Sequence, residues 1–400
     1  MFKWAQAAVA GVAGTAEPEY GPEAIKTVHQ HSEADANKPL YTETTSKDLA
    51  WAICTGTNVE SQVFYITTDD GRMGMAQVIY SVVVPGVKTT AQFNIKLFDP
   101  KKPEEKLWSS VPLTNPSFHG PKPSGDGSNA EAPLEDYKTS FYADNVAVTL
   151  SEDGGVYKVK SQADPNAFCN LVFTRLAPGF MAGKDGRSTY GTDQTKPWGE
   201  IRHVFWPRCK VEGVYVIKGE TVKVDGSGLF IHALQNMKPH HAAAKWNFAN
   251  FQGPTVSANF MEFTTPPSYG LTRVAVGGIA MDGEIISASG LPENLAEHLS
   301  STEDPEARWP EPKEVKFTWK GKNKDGKDVV AVIETTWPKR MDRVDIMSEV
   351  PGFVKSIVSA AAGTRPYIYQ FFERVSLKVK VGDHETTEEG WVFSEATFIS

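Results

Sequence analysis

Ser61-Gln62-Val63-Phe64-Tyr65-Ile66-Thr67, the turn Thr68-Asp69-Asp70-Gly71-Arg72, and Gly74-Met75-Ala76-Gln77-Val78-Ile79-Tyr80-Ser81-Val82-Val83-Val84 decide the architecture. Two runs rich in β-branched and aromatic residues flank an Asp-Gly pair, whose glycine supplies the φ > 0 position of a short hairpin. Lys88 to Phe98 then alternates, with Thr89, Ala91, Phe93, Ile95 and Leu97 on one face and Thr90, Gln92, Asn94 and Lys96 on the other. That period of two marks half-buried antiparallel strands.

The pattern continues outward from this hairpin. Asn145 to Leu150 and Val156 to Ser161 bracket Ser151-Glu152-Asp153-Gly154-Gly155, and Phe168 to Leu176 reads as a further strand. Downstream, strands are expected at Val256 to Thr264, Thr272 to Met281, Lys313 to Trp319, Val329 to Thr336, Val375 to Val381 and Trp391 to Phe398, with a hairpin signal at Asn323-Lys324-Asp325-Gly326. Helix candidates are few and short: Glu293 to Ser300, and Val354 to Ala362 after Pro351-Gly352. Short strands, frequent Gly turns and scarce helices predict an all-β chain of barrels or sandwiches. Glu17 to Lys47 is rich in Pro, Glu, Thr and Ser without periodicity and reads as a linker. Pro116 to Asp136 reads as a surface loop, with a lid over a pocket as the sharper alternative. The expected organisation is a helix over 1–15, a linker over 16–47, and two domains over 48–218 and 219–400, joined near Ile217 to Val224. The halves are similar in length and strand density, which permits an old duplication, although no residue-level repeat is evident.

With 400 residues and a formal net charge of −8, the chain has ample core-forming length and no long basic run. A phosphate-backbone partner needs clustered Lys and Arg, so nucleic acid is not expected. Three cysteines, Cys54, Cys169 and Cys209, are far apart and odd in number, without zinc or thiol-exchange spacing. They read as buried small hydrophobes in a reducing compartment. No uncharged apolar run approaches the roughly 20 residues of a membrane-spanning helix, so any membrane contact is peripheral.

Such a contact is expected at the N-terminus. At about 100° per residue, Met1, Phe2, Ala5, Ala8, Val9, Val12 and Ala13 share a broad face with Trp4 at its edge, opposite Lys3, Gln6, Ala10 and Gly14. A secretory signal, an unstructured leader and a helix docked on its own domain are the competing readings. The would-be signal core is interrupted by Gln6 and is mostly Ala and Gly, which favours an interfacial helix.

Aromatics, histidines and amides crowd together just past the middle of the chain: Phe205-Trp206-Pro207-Arg208, then Gly228-Leu229-Phe230-Ile231-His232-Ala233-Leu234-Gln235, His240-His241, and Trp246-Asn247-Phe248-Ala249-Asn250-Phe251. No His-Glu-x-x-His phrase occurs, and adjacent histidines on a strand point to opposite faces, so no metal and no cofactor is expected. Nucleophile elbows, phosphate loops and dinucleotide fingerprints are absent from the sequence, so no catalytic residue is assigned. Large aromatics are commonly core. The functional alternative is a lipid pocket with an apolar wall and a few polar groups to fix a head, drawn from Phe205, Trp206, Arg208, Phe230, His232, Trp246, Phe248 and Phe251.

The stretch from His232 through Met237, Lys238, Pro239, His240 and His241 to Trp246-Asn247-Phe248 resembles the survival factor one family of fungal proteins. The likeness extends to Met1-Phe2-Lys3-Trp4 and to Ala16-Glu17-Pro18-Glu19-Tyr20-Gly21, and covers nearly the whole chain. It implies two tandem lipocalin-like antiparallel β-barrels behind a short amphipathic helix. It further implies non-vesicular transfer of ceramide from endoplasmic reticulum to Golgi, survival under oxidative stress, and acetylation of Met1. A monomer is expected in cytoplasm and nucleus, touching both membranes reversibly through Met1, Phe2, Trp4, Ala5, Val9 and Val12. Two other functions compete. One is a hydratase-like enzyme on an apolar substrate, since the lipocalin-like pair also resembles a bacterial carotenoid hydratase group. The other is a ligand-free stress interaction module.

Overall fold

The hairpin at Asp70-Gly71 is present in the computed structural model, which describes residues 19–84, 88–120, 137–346 and 366–400. Strands Asn58–Thr68 and Met73–Val84 pair antiparallel, and Gly71 takes φ 87° in their turn. Two large antiparallel sheets follow, each curled on itself.

The first sheet runs from Leu107–Leu113 through Lys88–Phe98, Met73–Val84 and Asn58–Thr68. It continues through Glu220–Gln235, Gly199–Ile217, Ala167–Arg175, Val156–Asp164, Val146–Leu150 and Ser140–Ala143 to Ser117–His119. The second runs from Glu284–Ser289 through Arg273–Met281, Val256–Thr264, Lys245–Gln252, His384–Phe398, Tyr367–Val381, Asp328–Thr336 and Pro310–Lys322 to Leu295–Glu303. Leaving aside short flanking strands, the first strand of each sheet pairs with its last, and the ring breaks after the fourth. The halves therefore share a topology, as lipocalin-like barrels with a seam at the same place.

Three apolar clusters fill the molecule. One lies inside the first barrel, around Phe64, Tyr157, Phe173, Trp206 and Phe230. Another lies inside the second, around Phe251, Phe260, Phe317, Trp319 and Phe371. The third lies between the barrels, where Tyr65, Phe205 and Ile231 of the first meet Phe248, Phe263 and Phe393 of the second. Residues 203–207 of strand Gly199–Ile217 and 247–252 of strand Lys245–Gln252 thus bury both faces, so that the neighbours Phe205 and Trp206, and likewise Phe248 and Phe251, enter different clusters. The contact also holds a charge. Lys96 is 1% exposed and meets Asp342 of the second sheet at 2.8 Å, with Gln370 as a further acceptor. Burial lowers the Lys96 pKa while Asp342 opposes that shift.

Several expectations need correction. Glu293 to Ser300 is not a helix: Leu295–Glu303 is a strand paired with Pro310–Lys322, because tertiary pairing overrides the helix preference of its Leu, Ala and Glu. The linker contains structure. Val28–Ala34 is a helix with a capping box between Thr27 and Gln30, and Ile25–Lys26 and Tyr41–Glu43 add short strands to the first sheet. The division at 218–219 falls in the turn of the hairpin Gly199–Ile217/Glu220–Gln235, whose two strands both belong to the first sheet. At the level of sheets, the crossing lies over 236–244. The N-terminal helix over 1–15, the helix at Val354 to Ala362 and most of the loop 116–136 lie outside the described residues.

Candidate functional site

Strand Asn58–Thr68 directs Phe64 and Ile66 into the first barrel, and the same period of two brings Gln62, Glu60 and Asn58 to that face. On the neighbouring strand Phe230 stands opposite Phe64, and His232 opposite Gln62. The interior is consequently amphipathic. Its body is a set of packed rings, Phe64, Tyr157, Phe173, Trp206 and Phe230, with centroids 4.7 to 5.4 Å apart. Its end is polar.

At that end Glu60 is 1% exposed, which for a carboxylate requires dedicated partners. It accepts hydrogen bonds from Ala52 N at 2.7 Å and Ile53 N at 3.1 Å, and faces His232 Nε2 at 2.8 Å. Ile53 sits at φ 50°, a left-handed conformation costing on the order of 1–3 kcal/mol, and the bend aims two successive amides at one carboxylate. Gln62 Nε2 donates to the Tyr157 hydroxyl at 3.3 Å. Asn58 Nδ2 donates to Cys54 O and Gly56 O.

The remaining polar atoms here are unmatched. Among the described residues, Trp51 Nε1, Asn58 Oδ1, Gln62 Oε1, Thr139 Oγ1 and His232 Nδ1 are buried without a hydrogen bond. Each such atom costs about 1–3 kcal/mol, and native proteins concentrate them where a ligand or solvent supplies the partner. The Trp51 ring stands 5.3 Å from the His232 ring, and Trp51 N donates to Lys138 O, which brings Thr139 alongside.

The seam lies next to this end. Leu107, Val111, Leu113, Phe118 and Tyr80 pack on the interior cluster yet are only half-buried. Phe118 lies against Trp51 at 5.3 Å and against Tyr80 at 4.9 Å. Buried polar groups with unmatched atoms beside a partly open apolar seam offer partners to a polar head whose apolar chains lie along the seam. This geometry carries no nucleophile paired with a base. The thiols are equally unsuited to chemistry: burial pushes Cys169 up to about 12 and Cys54 to about 11.

The sequence-derived site residues fall into three places. Trp206, Phe230 and His232 share the first barrel. Phe205, Trp246 and Phe248 lie between the barrels, with Phe205 stacked on Phe180 and Phe248 on Tyr65. Arg208 also lies there, donating to Gly253 O, Pro254 O and Ser257 Oγ and so tying the barrels together. Phe251 is inside the second barrel. Strand alternation separates neighbours in sequence, so one stretch contributes to three clusters. Glu60, Gln62, Asn58, Trp51 and Thr139 were missed. The signal was three polar residues at i, i+2 and i+4, placing Asn58, Glu60 and Gln62 on the face of Phe64.

The model of the Svf1 family matches residues 2–400. The chain is 51% identical to the ceramide-binding protein svf-1 of Neurospora crassa and 48% identical to ceramide-binding protein svf1 of Aspergillus fumigatus. It is 39% identical to ceramide-binding protein svf1 of Schizosaccharomyces pombe, and in all three cases 100% of each chain is covered. Among solved structures, CghA with Sch210972 is similar at a TM-score of 0.59 and 11% identity, over 86% of this chain and 89% of that one. An AttH-like protein of Nitrosomonas europaea is similar at 0.54 and 11%, over 88% and 95%. These two likenesses concern fold alone.

Proposed function

The chain belongs to the Svf1 family, and on that premise we propose that it is a ceramide-binding protein whose ligand head enters the polar end of the first barrel. The full-length relatives supply the ligand, and their names speak for binding rather than catalysis. The observation that carries the reading is the amphipathic interior, with unmatched polar atoms at one end and half-buried apolar side chains at the adjoining seam. Ceramide has that same division, an amide and hydroxyls on two apolar chains. The rings of the barrel body already fill their space, so the chains are placed along the seam rather than among Phe64, Tyr157 and Phe230. Full-length protein purified without detergent should carry ceramide or a close sphingolipid when its lipids are identified by mass spectrometry. Extracts holding only bulk phospholipid in membrane proportions would remove this reading.

The finer function is a monomeric carrier in the cytoplasm and nucleus. It moves ceramide between endoplasmic reticulum and Golgi without vesicles and so supports survival under oxidative stress. Contact with both membranes is assigned to the face of Met1, Phe2, Trp4, Ala5, Val9 and Val12. Over about 14 residues, or roughly 21 Å of helix, that face is short and small in side-chain area. Even a myristoyl chain gives an association constant of only about 10⁴ M⁻¹, so exchange on and off the membrane is rapid, as a carrier requires. With Lys3 as the one charged side chain in this segment, binding should respond to lipid packing more than to anionic lipid. Val9→Asp should move the protein from membrane to cytosol in fractionation with both barrels folded. Wild-type membrane retention of that variant would assign the contact to another surface.

A further inference from the structure

The unmatched atoms at the polar end differ in kind, and their kinds are fixed by the surroundings. Trp51 Nε1 can only donate. Asn58 gives its amide hydrogens to Cys54 O and Gly56 O at 2.9 and 2.7 Å, which leaves its carbonyl oxygen as the free face. Gln62 gives an amide hydrogen to Tyr157 and leaves Oε1 unmatched. His232 is decided by Glu60. A carboxylate only accepts, so the imidazole nitrogen 2.8 Å from it carries the hydrogen, and in the neutral ring the opposite nitrogen, Nδ1, is an acceptor. The two amides of Ala52 and Ile53 hold the carboxylate so that this polarity is set before a ligand arrives.

We infer that the polar end of the first barrel selects its ligand by hydrogen-bond donors: His232 Nδ1 and Gln62 Oε1 each receive an N–H or O–H from the ligand head, and Trp51 Nε1 serves a single ligand acceptor. Asn58 Oδ1, two residues beyond Glu60 on the same face, is a further acceptor. Glu60 is a positioning residue that acts through His232. The inference rests on the ceramide reading and refines it to a class, neutral lipids with a secondary amide flanked by hydroxyls. Such a head offers three donors and one carbonyl acceptor. A diacylglycerol with the same chains offers one donor and two ester carbonyls, so it leaves protein acceptors unmatched. A buried acceptor left without its donor is penalised more than a missing attraction alone, which is why polar pockets reject analogues lacking a group so strongly.

The test uses the full-length protein and competition between lipids in phosphatidylcholine vesicles, with bound lipid read by native mass spectrometry. The probes are ceramide, the same ceramide with its primary hydroxyl methylated, and diacylglycerol of matched chains. Each lost donor should weaken binding about tenfold, the equivalent of one hydrogen bond. His232→Phe keeps a ring in place and should bring the ceramide to diacylglycerol ratio down at least tenfold, with residual binding of both. Glu60→Gln should compress the same ratio with His232 still present, an outcome that a purely structural role for Glu60 does not predict. Wild-type protein that binds the three probes equally overturns the inference and leaves the ceramide reading standing. So does a wild-type preference that His232→Phe leaves unchanged. Protein that binds none of the probes overturns both. The analogue series on wild-type protein decides the matter even if a variant fails to fold.

Discussion

The two barrels share a topology and differ at their polar ends. In the second barrel Glu262 is 2% exposed and fully engaged. It accepts from Asn247 Nδ2 at 3.0 Å, Arg273 at 3.1 Å and Ala296 N at 3.2 Å, while His298 Nε2 donates to Asn247 Oδ1 at 2.9 Å. Its seam is stitched as well. Asn294 Oδ1 accepts from Lys320 N at 2.7 Å, and Ser289 Oγ donates to Lys320 O at the same distance. In the first barrel Glu60 is equally buried, yet among the described residues the groups around it keep five atoms without partners, and interior-facing residues at the seam are half-buried. A closed polar network stabilises and specifies a fold, whereas a half-matched one costs stability and persists where function uses it. On the proposed function, the second barrel is scaffold and the first is receptor.

The largest expected effect follows from breaking the closed network. Glu262→Leu leaves Asn247 Nδ2 and Ala296 N without their acceptor, while the partly exposed Arg273 keeps Asn294 O and Pro292 O, and should destabilise by about 3–5 kcal/mol in urea unfolding, the cost of two donors left unmatched. A loss under about 1 kcal/mol would mean that the polar end around Glu262 tolerates unmatched groups as the one around Glu60 does, and the contrast would lapse.

Acid should act next, and outside the receptor end. Burial depresses His203, between the barrels, and His298, in the closed network, to about 4 each. Both are neutral in the folded chain at pH values where the unfolded chain, near 6.5, already binds a proton. Stability is therefore full above about 6.5 and falls as pH drops toward 4. The loss is on the order of 3 kcal/mol for the enclosed His203 and less for the half-buried His298. Urea midpoints at pH 7 and pH 4 measure it. His203→Gln should remove the larger share of the slope, and an unchanged slope would place the acid sensitivity elsewhere.

These contrasts were only partly visible in the chain. The Asp70-Gly71 turn and the alternation from Lys88 to Phe98 were legible because a local rule, φ > 0 or period two, suffices to place them. Leu295–Glu303 was not, since its strand state is imposed by Pro310–Lys322 rather than by its own residues. His232 could be singled out as a candidate, but its partner Glu60 lies 172 residues away in sequence and is joined only by strand pairing. Trp206, Arg208, Trp246 and Phe251 drew notice together as neighbours in sequence, and the pleat sends them to different clusters. Nor could sequence distinguish a matched amide from an unmatched one, which is the property that separates the polar ends around Glu60 and Glu262.

The smallest effect is also the most direct comparison, because it should have opposite signs in stability and binding. Thr139 is fully buried, and its hydroxyl has no partner among the described residues. Thr139→Val removes that oxygen at nearly constant shape, so the ligand-free protein should be unchanged or more stable by up to about 1 kcal/mol. The equivalent loss of a polar group from the closed network, Asn247→Leu, should cost stability, because Glu262 and His298 then lose bonds they make. Ceramide loading of the Thr139→Val protein should fall a few-fold, as one group of the polar end becomes unable to pair with the head. Urea midpoints at constant slope, set beside lipid mass spectrometry of the same preparations, read both quantities. If Thr139→Val instead destabilises by more than about 1 kcal/mol, its hydroxyl is bonded within the fold. Thr139 would then drop out of the proposed site, which would rest on the unmatched atoms of Trp51, Asn58, Gln62 and His232 alone.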